Sequence, residues 1–128
     1  QSGGPVRGQV DGLPDIVYAR TLHAMHAAED MPAVAEVMCV RVGGLAIVGL
    51  PGEFFVEHGL RIKRESVAWR TMVVSLANDA LGYLPTRDAF PQGGYETSTG
   101  STMYVPGTGE RIVDAALGQV RALMSRDR

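Results

Sequence analysis

The sequence predicts an α/β fold: an antiparallel hairpin leading into a strand–helix–strand unit, then a long loop of functional character, with terminal helices. Three observations carry this. Alternating, Val-rich residues over 34–42 meet a Gly43-Gly44 turn signal and a short apolar run, Leu45–Leu50. A helical segment over 53–66 then separates that run from a second apolar run, Thr71–Ala77. Val113, Ala116, Leu117, Val120 and Met124 form an apolar stripe at helical spacing over 108–125.

The elements follow in order. Residues 1–13 are Gly-rich without periodicity and read as a tail or linker, leaving 14–128 as the folded portion. Asp15 after Pro14 is a helix N-cap, and Tyr18, Leu22, Met25 and Glu29 recur at helical spacing over 15–29 until Pro32. Leu45–Leu50 is almost wholly apolar, as expected of a strand covered on both faces, and Pro51-Gly52 ends it. In 53–66, Phe55, Gly59 and Ile62 share one face and Glu57, Arg61, Lys63 and Arg64 the other. Residues 78–106 are rich in Gly, Thr, Ser and Pro, and loops this long inside a compact domain are usually functional.

Composition narrows the function. The chain has 128 residues, enough for one domain, and 45% hydrophobic content can support a core. A net charge of −2 with mixed signs offers no basic stripe for nucleic acid and no cluster for an anionic membrane surface. No apolar run approaches the ~20 residues of a membrane span. The lone Cys39 forms no internal disulfide and reads as a small buried thiol. The start at Gln1, without an initiating Met or an apolar signal segment, reads as a linker or a cut end, so a fragment or a processed product is expected.

Topology places a site. A strand–helix–strand crossover pairs its strands in parallel, and the carboxyl ends of parallel strands form the ligand-binding edge of open sheets. Glu53 lies just past one strand end, and Asn78, Asp79 and Tyr83 just past the other. These groups are expected to share one wall. Alternatively, Glu53 only complements a helix dipole, and Tyr83 only pins a loop onto the core.

Three stretches then carry a resemblance: Val48-Gly-Leu-Pro-Gly-Glu53-Phe; Leu76-Ala-Asn78 followed by Tyr83-Leu-Pro-Thr86-Arg-Asp88; and Tyr95-Glu96 with Gly100-Ser-Thr102-Met-Tyr104-Val-Pro106. In order and over roughly 34–125, they resemble the neutral/alkaline ceramidase family of zinc-dependent amidases, in a bacterial branch. The match is to the C-terminal portion of the family's catalytic domain. It implies that Glu53 and Tyr83 are zinc ligands, that two histidines from an N-terminal part complete the shell, and that Tyr95 lies beside the scissile amide. It implies hydrolysis of an N-acyl amide, ceramide-like, by a zinc-activated water, with Tyr95 as oxyanion donor. Secretion or a periplasmic location is suggested by the family alone. Against the family wording, Pro85 replaces the first threonine after the tyrosine, and three extra residues separate Tyr95-Glu96 from Gly100-Ser-Thr102.

Other residues read more plainly. His23 and His26, at i, i+3, do not correspond to the family's zinc histidines and read as ordinary helix residues. His58 reads as a packing or solvent-edge residue, Arg87 and Asp88 as a surface pair or else as groups that orient substrate, with the pair favoured, and the hydroxyls of Thr97–Thr102 as loop hydrogen-bonding groups. A second reading of the whole chain is a non-catalytic α/β ligand-binding or interaction module that keeps the scaffold.

Overall fold

The computed structural model describes residues 34–125. The expected tail over 1–13 and helix over 15–29, with His23 and His26, lie outside the described residues.

Strands β1 (Met38–Val42) and β2 (Leu45–Gly49) form the expected hairpin, in the register Met38↔Gly49 to Val42↔Leu45. Gly43 turns the chain at φ +57°, a left-handed conformation that glycine adopts without steric cost. Two-residue β3 (Glu53–Phe54) comes next, then helix α1 (Val56–Glu65) and strand β4 (Arg70–Val74). β4 returns parallel to β2, pairing Leu45↔Arg70 through Gly49↔Val74, so the sheet order is β1-β2-β4. A second pair, β3 with β5 (Tyr83–Leu84), is also parallel. A 3-10 helix at Arg87–Gln92 and the long helix α2 (Thr108–Met124) complete the described chain.

The core lies between the sheet and the two helices. Ala46, Val48 and Leu50 from β2 and its end meet Ile62 of α1, Leu84 of β5, and Val113, Ala116, Leu117 and Val120 of α2. The stripe read from the sequence is thus the buried face of α2, except that Met124 is only partly buried. On α1 the buried residues are His58 and Ile62, spaced i, i+4. An exposed ion pair, Arg61 to Asp114 at 2.6 Å, links the two helices.

The opposite sheet face is apolar and open. Met38, Val40 and Val42 of β1 and Met72 and Val74 of β4 share this face on either side of β2, each at least 40% exposed. A face of this kind in an α/β sheet is normally covered by another layer.

Three expectations are corrected. The helix starts at Val56, not Glu53, because the backbone N–H groups of Glu53 and Phe55 donate to Gly82 and Leu84 carbonyls at 2.9 and 3.3 Å. Glu53 is therefore a strand residue, and the acidic residue of the helix's first turn is Glu57. The strands are shorter than their apolar runs, Met38–Val42 and Arg70–Val74 instead of 34–42 and 71–77. After Val74 the chain leaves the ladder: Leu76 and Asn78 take positive φ (54° and 70°), and the Leu76 and Ala77 N–H groups turn to the Gly52 and Leu50 carbonyls. Arg87 and Asp88 form no ion pair with each other; the Arg87 guanidinium lies against Gly107 at the start of α2.

Candidate functional site

The site forms where the chain runs past the carboxyl end of β2. Leu50 N–H donates to the Val74 carbonyl at 2.8 Å, and the Pro51 carbonyl accepts from Leu81 N–H at 2.9 Å. These bonds hold the Pro51-Gly52 strip between the end of β4 and the segment leading to β5. Gly52 is required by a close approach: a Cβ there would stand 2.9 Å from the Gly82 carbonyl oxygen and 3.0 Å from Leu84 Cδ1. The two backbones can then meet as β3 and β5, with Glu53 directly opposite Tyr83. Leu84 is almost wholly buried and turns into the core. Alternation along the strand places Tyr83 on the other side, with Glu53 beside it.

The electrostatics agree with that proximity. The Glu53 carboxylate raises the Tyr83 phenol above the ordinary tyrosine range, with smaller contributions from burial, Tyr95 and Glu96. Tyr95 stands edge-on to Tyr83, ring centroids 5.8 Å apart at 82°. The structure thus brings Glu53, Tyr83 and Tyr95 into one wall, from three separate places in the sequence. Asn78 and Asp79 lie on the turn that leads to it, where the Asp79 carboxylate accepts from Ala80 N–H at 2.7 Å.

Two features of this wall have no single-residue signal in the sequence. The first is the Ser98–Ser101 turn, which carries Tyr95 against Tyr83. The second lies behind β3: His58 is 2% exposed, packs on the Phe54 edge at 5.7 Å, and sits where a side chain at Gly109 would be. Its Nε2 and the Glu110 Oε2 are buried without a partner. The sequence offers only Gly109, a glycine inside a helix, as a pointer to that contact.

The donor chemistry suits half of a metal shell. A carboxylate and a phenol side by side are both oxygen donors, and a cation between them would reverse the repulsion that now disfavours the phenolate. Among the described residues no group of three His, Cys, Asp or Glu side chains converges, so Glu53 and Tyr83 do not complete a shell by themselves.

No protein-family model matches the chain. The α/β geometry and the motif order are those of a part of neutral ceramidase, to which the chain is similar in sequence and in fold. The specific similarity is to the neutral ceramidase of Pseudomonas aeruginosa, 36% identical over 84 residues, 60% of this chain and 12% of that protein. The crystal structure of neutral ceramidase from Pseudomonas aeruginosa superposes with a TM-score of 0.60 at 32% identity, over 70% of this chain and 15% of that one. A ceramidase complexed with C2 gives 0.61 at the same identity and coverage. The resemblance read from the three motifs is therefore borne out in sequence and in fold, and the chain spans only about an eighth of the length of its curated relative.

Proposed function

We propose that residues 14–128 are the C-terminal portion of the catalytic domain of a zinc-dependent amidohydrolase acting on N-acyl, ceramide-like lipids. The observation that supports this most is the Glu53–Tyr83 pairing, a carboxylate and a phenol held side by side by β3 and β5. In this reading Glu53 and Tyr83 hold zinc, and residues outside this chain supply the remaining ligands. The open apolar sheet face fits the same reading, because the remainder of such a domain would cover it. A groove of about 500 Å³, lined by Leu81, Met103, Tyr104, Val105 and Ile112 among others, runs beside the same loop and suits an alkyl chain. Among the described residues no helix is long and apolar enough to cross a membrane.

Zinc, when bound, supplies a Lewis acid that activates water. The chain's own residues do the rest. Glu53 and Tyr83, set by backbone pairing and not by flexible side-chain reach, fix where the metal sits. Tyr95, 56% exposed, is free to offer its hydroxyl to the amide oxygen as charge develops there. The edge-on Tyr83 ring fixes the Tyr95 ring and so aims that hydroxyl.

The test is hydrolysis of a fluorescent short-acyl ceramide by the intact protein. Activity that chelation removes and added zinc restores is expected. Undiminished hydrolysis after exhaustive chelation, or none with zinc bound, would overturn the reading.

A further inference from the structure

Tyr95 and Tyr83 come from different segments, and their mutual position depends on what joins those segments. The Tyr95 carbonyl accepts two bonds from Ser98: its backbone N–H at 3.1 Å and its hydroxyl at 2.5 Å. A serine hydroxyl has one proton, so with that proton on Tyr95 the Ser98 oxygen can only accept from the Ser101 hydroxyl, 3.2 Å away. The Ser101 carbonyl in turn accepts from the Tyr83 N–H at 3.2 Å. Gly82 is needed here too, since it takes φ +77° and a Cβ would stand 3.2 Å from that same Ser101 oxygen. A continuous hydrogen-bonded path therefore runs from the backbone of Tyr95 through Ser98 and Ser101 to the backbone of Tyr83.

We infer that Ser98 is a positioning residue that sets Tyr95 against Tyr83, acting on amide turnover and not on metal binding; this rests on the proposed reaction. The separation of roles follows from the connections. Tyr83 is held independently by its pairing with Glu53 and by Leu84 in the core. Tyr95 is on an exposed turn joined to the Tyr83 side by its edge-on ring contact and by the Ser101 and Thr102 N–H groups, which donate to the Ser98 carbonyl. The Ser98–Ser101 hydroxyl pair adds the one link, among the described residues, that connects to the Tyr95 carbonyl through a side chain. Loss of the Ser98 hydroxyl removes the 2.5 Å bond to the Tyr95 carbonyl and the link to Ser101, loosens the setting of Tyr95 while the backbone turn stays, and leaves Glu53 opposite Tyr83. Displacing a transition-state contact by ~1 Å costs up to about 100-fold in rate.

The experiment compares wild type, Ser98→Ala and Ser98→Thr in the intact protein, with three readouts: zinc per chain, kcat and KM on a short-acyl ceramide, and the 19F spectrum after 3-fluorotyrosine labelling, assigned with Tyr83→Phe and Tyr95→Phe. Ser98→Ala is expected to keep its zinc, lose about 10- to 100-fold in kcat with little change in KM, and shift the Tyr95 resonance. Ser98→Thr, which keeps the hydroxyl, is expected to restore both. Unchanged kcat and an unchanged Tyr95 resonance in Ser98→Ala would overturn the inference, as would loss of zinc from that variant. If the wild type hydrolyses no amide, the proposed reaction fails, and the 19F arm still decides whether Ser98 holds Tyr95.

Discussion

Gly109→Ala sets two well-defined effects against each other at the junction behind β3. The added Cβ would lie 2.5 Å from His58 Nε2 and 2.9 Å from Cε1. The imidazole has little room to retreat, being 2% exposed with its other side on Phe54. Overpacking of this kind costs about 1–3 kcal/mol. Alanine gains at most about 1 kcal/mol over glycine in a helix interior, and less in a first turn, where Gly109 lies. Destabilisation wins, by about 1–2 kcal/mol net, read as a lower midpoint in urea with an unchanged slope. A double-mutant cycle with His58→Ala assigns the cause. Removing the ring makes room for the methyl, so the two substitutions should be less harmful together than their sum by about 1 kcal/mol. Additive effects, or a Gly109→Ala protein as stable as wild type, would refute the claim that the helices approach so closely because residue 109 has no side chain.

Leu50→Ala, at a fully buried position where β2 ends, should cost about 2–5 kcal/mol in chemical denaturation. Arg61→Ala should cost under about 1 kcal/mol, because the Arg61–Asp114 pair is solvent-exposed despite its short distance. Burial raises the Cys39 thiol, and burial together with Asp79 raises the Tyr104 phenol. Both favour the protonated form in the folded state, so their contribution is intact below the unfolded pKa values and lost as pH rises through the folded ones. Thermal melts should therefore show stability falling above about pH 9, and Cys39 should react with iodoacetamide more slowly than a free thiol at pH 8. A melting temperature that climbs through that range would contradict the assignment.

Much of the fold was legible in the sequence because its signals are periodic. The Gly43-Gly44 turn fixed the hairpin register, and the parallel return of β4 followed from the crossover rule. The stripe Val113–Val120 is the buried face of α2. The site was legible only in part. Strand order predicted that Glu53 and Tyr83 would share a wall, yet the element that joins them, the β3–β5 pair, is two residues long on each side. Such a short strand has no alternation to read, and Glu53-Phe54 looked like the first turn of the helix that follows. What decides otherwise is backbone geometry: Gly52 and Gly82 let the two segments touch. The Ser98–Ser101 path was invisible for a similar reason, since a hydroxyl-rich loop reads alike whether it holds a neighbouring ring or only itself. His58 reads as a packing or a solvent-edge residue, and at 2% exposure it is the first; its contact with Gly109 joins positions fifty-one apart, and no local pattern encodes that.

If Glu53 and Tyr83 together supply half of a zinc shell, as proposed, zinc stoichiometry depends on both. Metal content would be measured by mass spectrometry on the intact protein, on Glu53→Ala and on Tyr83→Phe, each checked for an unchanged melting profile of the apo form. The wild type is expected to carry about one zinc per chain, and both variants substoichiometric, easily chelated zinc. Full, chelator-resistant zinc in Glu53→Ala and Tyr83→Phe would contradict it.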